Sequence, residues 1–200
     1  RIAGGCCGTT PAHIRALTQA AAAIAPVPMT EKDMTMVSSY THAVFFGEKP
    51  IRIGERINPT GKKRFREALK AGDMDYILKE GIAQEEQGVE ILDVNVGLPD
   101  IDESTMLTNA VTELQAIIDL PLQIDTSSPA AMASALRRYN GKPMINSVNG
   151  KQETMDAIFP LVKKYGGLVV ALTLDERGIP DTAQGRVEIA RRILAQAARY

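Results

Sequence analysis

Ile51-Arg-Ile-Gly-Glu-Arg-Ile-Asn-Pro-Thr-Gly61 reads as a short buried strand that ends in a polar cluster. Ile51, Ile53 and Ile57 supply β-branched character, and Gly54 allows another backbone or side chain to approach closely. Glu55, Arg56 and Asn58 stand where the strand emerges, and Pro59-Thr60-Gly61 turns the chain. A strand ending in carboxylate, guanidinium and carboxamide is expected at the working end of an α/β protein.

Outward from this stretch the same unit recurs. Asp73 to Gln87 has helical periodicity, and Glu90 to Val96 is a second strand. Asp102 is placed to cap a helix over Glu103 to Ile118, whose apolar residues fall on one face. Strands at Pro121–Thr126, Pro143–Val148 and Leu168–Leu174 follow, each with a helix behind it: Pro129–Tyr139, Lys151–Tyr165 and Ala183–Tyr200. Strand and helix in strict alternation imply right-handed crossovers and a parallel sheet. The expected fold class is therefore α/β, a partial (β/α)8 TIM barrel of about five units, where a full barrel has eight. An open doubly wound sheet is the alternative, but no Gly-x-Gly-x-x-Gly follows the first strand.

Upstream, residues 1–10 read as a strand end running into a glycine-rich turn, with a helix over Ala12 to Ile24. Residues 26–50, with Pro26, Pro28 and Pro50, read as an inter-domain linker. The chain begins at Arg1 rather than Met, in the middle of a pattern, as expected of a piece of a longer protein.

Composition narrows the partners. The 200 residues are 44% hydrophobic and 24% charged with net charge −1, which gives no electrostatic case for nucleic acid. The apolar run Ala20–Pro28 is too short to span a bilayer, so no membrane association is expected. Two adjacent cysteines offer no disulfide framework and point to a reducing, cytoplasmic setting.

Polar residues gather where the strands end: Glu55, Arg56 and Asn58; Asp93 and Asn95; Asp125 and Thr126; Asn146, Ser147 and Asn149; Thr173, Asp175 and Glu176. In α/β barrels this end carries the chemistry. No histidine follows His42 and no cysteine follows Cys7, so a nucleophile–imidazole pair at the mouth is excluded. Carboxylates and carboxamides without a clustered cation suit a polar, uncharged heterocycle such as a pterin. A carboxylate accepts from its adjacent ring N–H and amino groups, and an asparagine meets its lactam edge.

Gly54-Glu-Arg-Ile-Asn58, Leu92-Asp-Val-Asn-Val-Gly97, Gln123-Ile-Asp-Thr-Ser127 and Met144-Ile-Asn-Ser147 resemble, in order and spacing, the pterin-binding barrel of the cobalamin-dependent methionine synthase family. Corrinoid methyltransferases acting on methyltetrahydrofolate share these motifs, and dihydropteroate synthase is a more distant relative. Gly4-Gly-Cys-Cys-Gly-Thr-Thr-Pro11 resembles the end of the homocysteine-binding barrel that precedes the folate barrel in that family.

The resemblance implies residues 1–25 as the end of a homocysteine (zinc) barrel, 26–50 as linker and 51–200 as a truncated pterin barrel. It implies methyl transfer from 5-methyltetrahydrofolate to cob(I)alamin and on to homocysteine, with cobalamin bound by a domain outside this chain. Asp125 and Asn146 fall where the family hydrogen-bonds the pterin, and Asn58, Asp93 and Asn95 match further positions lining the pocket. Gly61, Lys62 and Lys63 match the loop that approaches the folate. Cys6 and Cys7 match two of three zinc-binding cysteines, the third lying upstream of Arg1. A stand-alone methyltetrahydrofolate:corrinoid methyltransferase and a non-catalytic folate-binding module are the other readings.

Overall fold

A computed structural model describes residues 2–30 and 33–200. Arg1, at the start of the expected strand end, and Glu31 and Lys32 of the expected linker lie outside the described residues. The chain divides into two units, residues 1–33 and residues 34–200.

The smaller unit is one helix, α1 (Pro11–Ala22), entered through Thr10 in extended conformation with proline in its first turn. None of its residues is buried. The expected strand end is not formed among residues 2–10; a turn closed by Thr9 N–H on the Cys6 carbonyl stands in its place. A strand needs a neighbour to satisfy its backbone, and this unit offers none among the described residues.

The larger unit begins earlier than the prolines suggest. Residues from Met34 onward, expected to be linker, belong to it and fold into an antiparallel hairpin, β1 (Met36–Ser38) and β2 (Ala43–Phe45). Val37 is fully buried, so the hairpin is anchored by packing; the prolines flank it rather than interrupt it.

Five parallel strands follow: β3 (Ile53–Ile57), then a short helix α2 (Lys63–Ala71) and α3 (Met74–Glu86), β4 (Ile91–Val94), α4 (Glu103–Ile117), β5 (Leu122–Asp125), α5 (Pro129–Arg138), β6 (Met144–Asn149), α6 (Gln152–Tyr165), β7 (Leu168–Leu172) and α7 (Ala183–Ala197). The strands lie in sequence order, β3-β4-β5-β6-β7. That order has no switch point, which removes the doubly wound alternative and leaves part of a (β/α)8 barrel. Helix α2 has no counterpart in the sequence reading, because Pro59-Thr60-Gly61 looks like a plain turn. Asp102 does cap α4, its carboxylate accepting the Thr105 N–H at 3.2 Å.

Two apolar layers sandwich the sheet. Leu92, Val94, Leu122, Ile124, Ile145 and Val148 pack against the helices in one continuous core. On the opposite, inner face, Ile91 and Met144 meet Val37 of the hairpin, with Phe46, Ile51 and Val170 against them. The hairpin thus stoppers the N-terminal end of the strands. Tyr139 fastens it, its hydroxyl donating to the Ser38 carbonyl at 2.9 Å and accepting the Leu122 N–H at 3.0 Å. Ser39 and Tyr40 add bonds to Asp119. Among the described residues no helix is long and apolar enough to cross a membrane.

Candidate functional site

Above that apolar floor the inner face turns polar, and the alternation of a strand explains why. On β4, Leu92 and Val94 face the helices, so Asp93 faces inward, and Asn95 follows in phase. On β5, Leu122 and Ile124 face the helices and Gln123 and Asp125 face inward. Register places Asp93 beside Gln123 and Asp125 beside Asn146. One inner surface therefore collects Asp93, Asn95, Gln123, Asp125 and Asn146 from three neighbouring strands.

The pairs are hydrogen-bonded. Gln123 Nε2 donates to Asp93 Oδ1. Asn95 Nδ2 donates to Asp125 Oδ2 at 2.9 Å, while its Oδ1 accepts the Gly97 N–H at 2.9 Å, so both ends of this carboxamide are committed. Among the described residues no cation pairs with either acid, and both respond. Asp93 is only 3% exposed; burial pushes its pKa up to about 7, and the Asp125 and Glu55 carboxylates add to the shift against the Gln123 hydrogen bond. Asp125 is also raised, by burial first and then by Glu55 and Glu103, with the Asn95 bond opposing.

Two cavities open at this end of the sheet. One, of 440 Å³, is lined by Asp125, Thr126, Asn146, Ser147, Asn149 and Glu153 among others. The second, of 460 Å³, includes Thr60, Asn95, Gly97, Glu103 and Thr126 in its wall. Both are of the size that takes a small heterocycle. Thr126 and Ser127 line both, and the Thr126 hydroxyl donates to Glu103 and accepts the Ser128 N–H at 3.0 Å.

The remaining expected residues divide. Asn58 follows β3 directly, its Oδ1 accepting the N–H of Thr60, which lines the second cavity, at 2.8 Å. Gly61 has φ 71°, the left-handed turn that brings the loop round. Lys62 does not reach out; its ammonium donates to the Glu55 carbonyl at 3.0 Å and lies 3.2 Å from the Glu55 carboxylate. Lys63 is not brought to the site. It opens α2 with its side chain 85% exposed, paired with Glu67 one turn on.

Cys6 and Cys7 sit side by side and exposed, Sγ to Sγ 3.7 Å. Among the described residues no three His, Cys, Asp or Glu side chains converge on a point that holds a metal. Two thiolates leave a tetrahedral zinc two ligands short, so these residues do not fit a closed zinc site by themselves.

The sequence reading misses Gln123 and Glu103 as site residues. Gln123 has a signal: it lies two positions before Asp125, hence on the same face. Glu103 has none, because a helix-opening glutamate reads as a cap. Asp175, at the end of β7, is buried, and its carboxylate meets Arg177 at 3.1 Å and Arg192 at 3.5 Å. It ties the loop after β7 to α7.

Comparison with known proteins meets this geometry from outside. Residues 54–199 match the pterin binding enzyme family, and residues 1–21 match homocysteine S-methyltransferase. The chain is 36% identical over 203 residues to methionine synthase of Mycobacterium tuberculosis, covering 96% of this chain and 17% of that protein. It is 35% identical over 208 residues to methionine synthase of Mycobacterium leprae, with the same coverage. It thus spans about 17% of the length of these relatives. The structure resembles 7,8-dihydropteroate synthase of Vibrio fischeri ES114 with TM-score 0.58 at 17% identity, over 82% of this chain and 62% of that one. It also resembles the Xanthomonas albilineans dihydropteroate synthase with 4-aminobenzoic acid, with TM-score 0.55 at 21% identity, over 82% and 60%. These two likenesses concern the fold. The family match over most of the chain and the alignment with methionine synthases along nearly its whole length agree: the chain belongs to the pterin binding enzyme family.

Proposed function

We propose that this chain supplies the pterin-holding wall of a methionine-synthase-type methyltransferase, which takes a methyl group from 5-methyltetrahydrofolate. The observation that carries the reading is the inner-face set Asp93, Asn95, Gln123, Asp125 and Asn146, buried or half-buried, tied together by hydrogen bonds and strand register. Pterin offers adjacent N–H donors on one edge and a lactam on another. Asp125 accepts from the donor edge, and the Asn146 carboxamide serves the lactam. Asn95 holds Asp125 in place, and Gln123 does the same for Asp93.

In this reading the physical difficulty of the transfer is the leaving group. A tertiary amine leaves poorly unless N5 gains a proton, so the wall must fix the ring while the site favours positive charge there. The Glu55 and Asp125 carboxylates, joined by Asp93 as it ionises around pH 7, give a negative potential that supports such charge. Cobalamin, bound by another domain in this reading, supplies the methyl-accepting nucleophile. No step is drawn through zinc, because Cys6 and Cys7 do not complete a site. In the whole protein, residues 1–25 are assigned to the end of a homocysteine barrel and 51–200 to the pterin barrel, in a reducing, cytoplasmic setting. Homocysteine is the final methyl acceptor.

Titration of 5-methyltetrahydrofolate into the full-length protein tests the reading. Asp125→Ala removes a charge-assisted hydrogen bond of about 1.5–3 kcal/mol and is expected to weaken binding about 10- to 100-fold, with homocysteine binding nearly intact. Unchanged folate affinity would overturn it.

A further inference from the structure

The strand that opens the barrel is not paired evenly. Ile53 stands opposite Ile91 and Gly54 opposite Leu92, but Ile57 stands opposite Val94. Between those pairs β3 holds one residue more than β4, a bulge at Glu55-Arg56. An extra residue reverses the phase of everything after it. Ile57 faces the helices, in the core with Ile77 and Leu114, so Asn58 turns to the inner face. In an unbroken register Asn58 would point into the helix layer and Ile57 into the site.

A bulge leaves backbone groups without ladder partners, and here two side chains take them. Gln84, on α3 and 3% exposed, accepts the Arg56 N–H on its Oε1 at 2.8 Å. Its Nε2 donates to the Glu80 carbonyl at 3.0 Å, which fixes the amide's orientation. Lys62 donates to the carbonyls of Glu55 and Arg56 at 3.0 and 3.3 Å. Gly54 is shaped to admit Gln84: a Cβ there would lie 2.6 Å from Oε1. Beyond the bulge the ladder resumes, the Ile57 carbonyl accepting the Asn95 N–H at 2.9 Å.

We propose that Gln84 is a positioning residue for the pterin site: by holding the Arg56 N–H it sets the phase in which β3 presents Glu55 and Asn58 to the ligand. It touches no ligand itself. Lys62, matched by sequence to the folate loop, serves the same bulge from the other side. The inference rests on the pterin reading given above.

The test titrates 5-methyltetrahydrofolate into the full-length protein and its variants, measuring the dissociation constant of the folded fraction. Gln84→Leu keeps the apolar volume and removes the acceptor; it is expected to weaken binding about tenfold, equivalent to about 1.4 kcal/mol. Gln84→Glu keeps an acceptor for the Arg56 N–H and, in the neutral form that burial favours, a donor for the Glu80 carbonyl, so it is expected to restore affinity to within about threefold of the parent. Should Gln84→Leu fail to fold, Gly54→Ala pushes Oε1 off the Arg56 N–H from the other side, and the same loss is expected. Asp125→Ala separates the two levels. If it weakens binding while Gln84→Leu and Gly54→Ala do not, the positioning role is refuted and the pterin reading stands. If none of them changes affinity, both fall. A loss in Gln84→Leu that Gln84→Glu does not restore also refutes the role, because the acceptor would then be irrelevant.

Discussion

Asp93→Asn isolates the most perturbed group in the site. The carboxyl has an ordinary pKa of 3.8 and stands at about 7 in the fold, because burial disfavours its ionised form. Between those values the folded state keeps a proton that the unfolded state has released. Stability from this group is therefore full below about pH 4 and is lost as pH rises toward about 7 and just beyond. The gap is about three units, and at about 1.4 kcal/mol per unit the loss has a ceiling of about 4 kcal/mol. Asparagine cannot ionise, yet its carbonyl still accepts from Gln123. Urea unfolding from about pH 4 to about pH 8 should show the parent losing stability steadily relative to the Asp93→Asn variant. The variant's gain on the parent should level off above about pH 8. Asp125 titrates in both proteins, and because its carboxylate helps raise Asp93, the difference between the profiles reports Asp93 together with its coupling to Asp125. Parallel profiles would refute the reasoning, as would an infrared carboxyl band that titrates near pH 7 in the parent and persists unchanged in the variant.

Other substitutions probe the frame. Gly81→Val places methyls where a Cβ already meets Ile118 and Leu114 at 2.7 and 2.8 Å, so thermal denaturation should register a loss of about 1–3 kcal/mol. Tyr139→Phe strips a partner from both Ser38 and Leu122; a cost of about 1–3 kcal/mol is expected in urea, with faster amide exchange at residues 36–38. Asp102→Ala should cost about 1 kcal/mol through the lost cap of α4, read from the same unfolding curves. Lys63→Ala should leave 5-methyltetrahydrofolate affinity in the full-length protein unchanged, since its side chain pairs with Glu67 at the surface.

The barrel units are legible in the sequence because burial writes its period into each of them. Leu92 and Val94 alternate with Asp93, and α4 repeats its apolar residues at helical spacing behind a capping Asp102. The hairpin is not legible: its strands are three residues each, too short to establish a period, and prolines on either side suggest a linker. Helix α2 is hidden behind a turn motif. Within the site, strand-end position marks Asp125 and Asn146, but the motif match also carries Lys62 and Lys63. Their ammonium groups go to the β3 bulge and the outer surface, a distinction that only three-dimensional placement makes. Gln84 lies in an ordinary helical stretch, and its importance depends on a bulge that no spacing in the sequence declares.

The hairpin has a consequence for how the larger unit comes apart. Each βα unit leans chiefly on the next, as the repeats of a solenoid do, and such stacks can melt from either end. The Tyr139 and Lys142 bonds to Ser38 join residues 101 and 104 positions apart. They close a linear stack into a circuit. Fraying at the start of the larger unit must break ties in its middle, and this couples local openings into a single cooperative event. A clasp of two three-residue strands thus ties the polar inner wall of the sheet into one unfolding event.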